Sequence, residues 1–294
     1  MPIPEASVVC YKKLKKLLDK SNKRHHYSII KKNLSEIDDE SIRDDVEQLI
    51  SVYNDLGMDE DKTIVFLIHG IRTQGEWQDR IRQHYDAIDD IDVYPIGYEN
   101  DYFDLREFVL APFYEENHKI RIHSEITAIS DEYPLSDIAI VAHSFGTYLL
   151  SKIFKEYTGI RVNKIILCGS IIPKHFEWRN VVNLPSGSII NDVGSKDYWP
   201  LLAKVISRRF GATGTFGFKS AYINDRFHNF GHDGFFSKVF FEKYWAPFID
   251  NGYITPSVYI RKKTPWVLSM LSKLSLLNIT LFSCICVAIY LAIF

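Results

Sequence analysis

The chain has 294 residues, 46% hydrophobic and 14% aromatic, enough to bury one sizeable core without requiring a second domain. A formal charge of -2 gives it no global attraction to nucleic acid, and no nucleic-acid partner is expected. The four cysteines, Cys10, Cys168, Cys284 and Cys286, are scattered and lack the Cys-x-x-Cys spacing of zinc or redox sites, so they read as packing residues in a reducing environment.

Residues 1–60 read as a helical segment outside the main fold. Tyr11, Leu14, Leu17 and Leu18 make a short apolar stripe among Lys12, Lys13, Lys15, Lys16 and Lys20. Such a basic helix either packs its leucines on the main domain, the reading its short apolar face favours, or rests on an anionic membrane surface. A second, acidic stretch has Ile42, Val46, Leu49, Ile50 and Tyr53 at helical spacing.

The main domain, residues 61–252, opens on Thr63-Ile-Val-Phe-Leu-Ile68, a continuous apolar run typical of a parallel strand buried on both faces. His69-Gly70-Ile71 follows as a turn. Trp77 to Ile88 reads as a helix and Ile91 to Ile96 as a strand, with an aromatic, irregular stretch over 98–114. A long helix over about 115–133 carries His118 and His123, which are five residues apart, face different directions and read as surface residues rather than metal ligands.

The next stretch, Asp137 to Leu150, is a β-branched run that ends in Ala142-His143-Ser144-Phe145-Gly146 and passes at once into helix formers. Strand, sharp turn and helix would force Ser144 into a strained backbone conformation, which requires small residues two positions to either side. Ala142 and Gly146 are those residues. The same geometry would aim the Phe145 N–H at a developing oxyanion. Thr147 to Tyr157 then reads as a helix, and Lys164–Gly169 and Ser188–Val193 as further buried strands. Alternating strands and helices imply a parallel sheet covered on both faces.

Two histidines, His228 and His232, lie beyond residue 197, in Arg226 to Phe236, and Val239 to Ile249 can form a closing helix. The glycine-rich stretch 211–217 does not sit between a strand and a helix as a phosphate-binding loop would, and is expected to be a flexible loop or lid. Neither a metal nor a cofactor is expected, because no histidine and carboxylate cluster has metalloprotease spacing.

The linker 253–273 is basic, with Arg261, Lys262, Lys263 and Lys273. Residues 274–294 carry no charged side chain. A helix of that length would cross a hydrocarbon core of about 30 Å. No basic, apolar leader opens the sequence, and the cations all precede the span. The expectation is a single-pass membrane protein with its main domain facing the cytoplasm.

The Ser144 turn resembles the nucleophile elbow of the α/β-hydrolase family, with Ala142 where the commonest form has glycine. The resemblance covers about residues 62–250 and implies an α/β-hydrolase fold, a mostly parallel sheet with helices on both faces, here with N-terminal helices and a C-terminal transmembrane helix added. It implies that the His69-Gly70-Ile71 turn gives the Ile71 N–H to an oxyanion hole shared with Phe145, and that His69 is structural. It also implies the chain order serine, acid, histidine. Gly194-Ser-Lys-Asp197, before Pro200, resembles the family's acid loop, so Asp197 is the candidate acid and Asp192, nearer the strand end, the alternative; Asp197 could also be a helix cap. His232 resembles the catalytic histidine more closely than His228.

A serine hydroxyl needs a base to take its proton, and the base needs an acid to orient it. Ser144, His232 and Asp197 therefore point to an esterase or thioesterase forming an acyl-enzyme, its substrate an ester, and from the membrane location a lipid. The alternative is an inactive scaffold of the same fold that binds a partner at the membrane.

Overall fold

Among the described residues six strands hydrogen-bond side by side, all parallel, in the order β2-β1-β3-β4-β5-β6. They are β1 (Thr63–Ile68), β2 (Ile91–Ile96), β3 (Asp137–His143), β4 (Lys164–Cys168), β5 (Ile189–Gly194) and β6 (Asn224–His228). The structure is a computed structural model that describes residues 43–44, 62–70, 76–86, 88, 90–97, 111–133, 136–180, 184, 188–259 and 270. The expected N-terminal helices apart from residues 43–44, the Ile71 turn position, most of the aromatic stretch and the span 274–294 lie outside the described residues. Among the described residues no helix is long and apolar enough to cross a membrane.

Burial on two faces explains the apolar runs. Along β1, Ile64, Phe66 and Ile68 enter one core, while Val65 and Leu67 enter the other. All five are fully buried, as a period of two requires of a strand with helices above and below. The first core takes α2 (Ala111–Glu132) and α3 (Phe145–Glu156) through Ile122, Ile126, Leu149 and Ile153. The second takes α1 (Glu76–Tyr85) through Trp77, Ile81 and Tyr85, and the C-terminal helices through Phe240, Trp245 and Phe248. This parallel, two-sided architecture fits the α/β-hydrolase fold expected from the elbow. β2 lies at the edge of the sheet, the place where a strand can carry Pro95 without losing a central ladder bond.

Three readings change. Asn224–His228, assigned to no strand in the sequence, is edge strand β6. Its polar sequence hides the strand, because its buried Arg226 and His228 are satisfied by partners on β5 rather than by water. The glycine-rich stretch is not a lid. Thr213–Phe216 forms one helical turn, α5, packed on β5 after α4 (Trp199–Ile206). A side chain at Gly211 would start 2.1 Å from the Ile172 carbonyl oxygen and one at Gly214 2.3 Å from the Ser170 nitrogen, so these glycines permit close backbone packing. The closing helix is broken into α6 (Lys238–Phe240), a π-helical segment Phe241–Trp245 and α7 (Ala246–Asn251).

Candidate active site

Strand order reverses between β1 and β3, and crevices at the carboxyl ends of strands bind ligands at such a switch point. Gly70 follows β1 there, and Ser144 follows β3. Ser144 has φ 53° and ψ -120°, a backbone conformation costing a non-glycine residue about 1–3 kcal/mol. The surroundings hold it there. Its N–H donates to the Cys168 carbonyl at 3.0 Å, and its own carbonyl accepts the Thr147 hydroxyl at 2.6 Å.

Two glycines make room for the turn. A side chain at Gly70 would start 2.5 Å from the Ser144 Cβ, and one at Gly146 would start 2.6 Å from the His69 carbonyl oxygen. Ser144 is half-buried, and Phe145 is the first residue of α3, so its N–H lies at the amino end of that helix. His69 is buried, and its Nδ1–H donates to the Gly70 carbonyl at 2.7 Å, a bond within the turn.

The acid and histidine candidates form two separate pairs. Asp197 is fully buried, and its Oδ2 accepts the Nδ1–H of His232 at 2.9 Å. Its Oδ1 accepts the Trp199 N–H at 3.1 Å, so one carboxylate both orients the histidine and holds the start of α4. The two readings of Asp197 are therefore compatible. The Asp197 turn is tied to the strand that leads to His232: Ser195 N–H donates to the His228 carbonyl and Lys196 N–H to that of Phe230. His232 keeps 14% of its side chain exposed.

Asp192 and His228 lie deeper. The Arg226 guanidinium grips both oxygens of Asp192 at 2.8 Å, Trp245 donates its indole N–H at 2.8 Å, and His228 Nε2 lies 2.8 Å from Oδ1. Burial by itself would raise the Asp192 carboxyl, but Arg226 and then His228 hold it below the ordinary value. These groups are 0–3% exposed and form an interior ion cluster.

Ser144 and His232 lie against consecutive residues at the next strand end. Ser144 bonds to Cys168, and the His232 ring lies over Gly169, where a side chain would start 2.8 Å from His232 Cε1 and 3.1 Å from His143 Nε2. Gly169 is also at φ 54°. His143, singled out in the sequence only as part of the elbow, is fully buried with its ring centroid 4.4 Å from that of His232. Burial, then the neighbouring His232 and His69, push its pKa well below the ordinary histidine value, so it is neutral. Cys168 is buried, its thiol pushed up by burial and by the nearby Asp192 and Asp197 charges.

His118 and His123 are half-buried, and His123 stacks on Tyr157 at 4.1 Å. Among the described residues no cluster of three or more histidine, cysteine or acidic side chains could hold a metal. A cleft of about 250 Å³ opens between α1 and the C-terminal helices, lined by Trp77, Phe236, Phe241 and Trp245 among others; Ser144, Asp197 and His232 do not line it.

No protein-family model and no curated protein sequence matches the chain. Among solved structures it is similar to a yden-like hydrolase from Pectobacterium atrosepticum, at 13% identity and a TM-score of 0.37, over 61% of this chain and 82% of that one. Human thioesterase 2 is similar at 11% identity and a TM-score of 0.35, over 73% and 99%. A cutinase-like protein from Cryptococcus sp. follows at 11% and 0.32, over 56% and 75%. At these values the likeness transfers no residue role to this chain.

Proposed function

We propose that the protein is a serine hydrolase that cleaves carboxylic esters or thioesters through an acyl-enzyme. One observation carries the reading: a serine held at φ 53° between a strand and a helix, on the same sheet edge as a histidine bonded at 2.9 Å to a buried carboxylate. Such strain persists where the surrounding structure supports a reactive geometry.

In the proposed reaction His232 Nε2 takes the Ser144 hydroxyl proton as Oγ attacks the substrate carbonyl carbon. Asp197 fixes the tautomer by accepting from Nδ1 and stabilises the imidazolium. The Phe145 N–H and, by resemblance, that of Ile71 receive the oxyanion. His232 returns the proton to the leaving oxygen or sulfur. Water, deprotonated by the same base, then releases the acid and restores Ser144.

The substrate class is proposed as a lipid or lipid-linked ester. Tyr198, Trp199 and Leu202 stand exposed beside the site, with the Trp199 ring 6.3 Å from that of His232. The uncharged span 274–294 supports a single membrane anchor, with the preceding domain on the cytoplasmic side.

A fluorophosphonate probe tests the reading directly, since an activated serine is required for reaction. We expect stoichiometric labelling at Ser144, abolished in Ser144→Ala together with hydrolysis of a short-chain thioester. An intact, folded protein that takes up no label would instead be the inactive scaffold.

A further inference from the structure

His143 is a costly residue in its position. Its side chain is fully buried, and neither ring nitrogen makes a hydrogen bond of full geometry, with the His232 main chain offering a looser one. A buried polar atom without a partner destabilises a fold, whereas an apolar ring of the same size would not. Trp77 lies edge-on to it at 6.5 Å and Phe236 edge-on at 4.8 Å, so two walls of its pocket are apolar. The nearby titratable groups that face it are His69, whose Nδ1 is engaged with the Gly70 carbonyl, and His232. The His232 main chain is the polar backbone that bears on the His143 ring.

We propose that His143 is a positioning residue for the general base: its ring is the seat of His232, and an N–H of that ring tightens onto the His232 main-chain carbonyl as acyl transfer begins. The inference rests on the serine hydrolase reading and names a residue that reading does not require.

Three features support it. The two rings are tilted at 49° with centroids 4.4 Å apart, so His143 fixes the inclination of the base. Gly169 lacks the Cβ that would fall 2.8 Å from His232 and 3.1 Å from His143, so the fold leaves space for both rings at one point. Phe236 contacts His143 from the loop that carries His232, so a shift of that loop moves both contacts together. Hydrogen bonds that are long or poorly aligned in a free enzyme commonly tighten in the complex with substrate. Neutrality also matters, because a charged ring at this distance would oppose formation of the His232 imidazolium.

The test uses full-length protein with His143→Phe, which keeps the ring and removes the N–H, and His143→Gln, which keeps an N–H donor. We expect His143→Phe to lower kcat about tenfold with KM unchanged, the size of one lost hydrogen bond. His143→Gln is expected to remain within about threefold of the original kcat, and fluorophosphonate labelling rates should follow the same order. Equal kcat in His143→Phe and the unaltered protein overturns the inference, as does a folded His143→Gln no better than His143→Phe. If His143→Phe does not fold, His143→Leu takes its place with the same two outcomes. Failure of the unaltered protein to label at Ser144 sinks the hydrolase reading itself, whereas labelling that ignores the His143 substitutions sinks this inference alone.

Discussion

A backbone angle and a missing methyl decide how Ser144 is presented. Its φ of 53° is held by hydrogen bonds to Cys168 and Thr147, and Gly70 leaves only enough space for the Ser144 side chain beside it. Gly70→Ala would place Cβ at 2.5 Å from the Ser144 Cβ, so the turn must move. Displacements of about 1 Å cost on the order of a hundredfold in rate. We expect Gly70→Ala to slow labelling of Ser144 by about that factor while the circular dichroism spectrum is retained; an unchanged labelling rate would show that the turn is not strained in the way described.

At the scale of elements, β5 and β6 and the loops that follow them carry two acid–histidine pairs, one interior and one partly exposed. Asp192, Arg226, His228 and Trp245 tie the two strands to the π-helical segment, and Arg226 also donates to the carbonyls of Tyr244 and Thr255. Removing one member of a buried ion pair leaves the other charge uncompensated, a loss of about 3–5 kcal/mol. Asp192→Ala should therefore lower the midpoint of chemical denaturation strongly, whereas Asp197→Asn should leave it nearly in place and reduce kcat by about 10⁴ through loss of the correct tautomer. The folded carboxyl of Asp192 is held below its unfolded value of about 3.9. Its contribution is thus fully present above that pH and is lost as pH falls through the folded value. The acid limb of the stability curve should be shallower in Asp192→Ala, and reversal of the two variants' phenotypes would exchange the assigned roles.

Over the whole molecule, a sheet buried on both faces forms the base, and Ser144, Asp197 and His232 sit on turns and loops at its carboxyl edge. The span 274–294 lies beyond Ser144, Asp197 and His232 in the chain, so its removal tests location separately from chemistry. Protein truncated before residue 274 is expected to leave the membrane fraction and still label at Ser144. Retention of the truncated protein with membranes would defeat the anchor.

The amino-acid sequence determined β1, β3 and β4, because their apolar, β-branched runs can be satisfied only by burial on both faces. It marked β2 and β5 as well, although β2 is half-exposed at the sheet edge and β5 buries Asn191 and Asp192. It also marked the Ser144 turn, because small residues and serine at that spacing follow from local backbone sterics. β6 was not legible, since its arginine and histidine look solvated until a buried aspartate from another strand meets them. The pairing of Asp197 with His232 and Asp192 with His228 belongs to tertiary structure for the same reason: residues 35 and 36 positions apart are brought together by strand register and the loops that follow it. His143 is the clearest case. Its position in the elbow could be read from the sequence, but its contact with His232 exists only because β3, β4 and the histidine loop converge over Gly169.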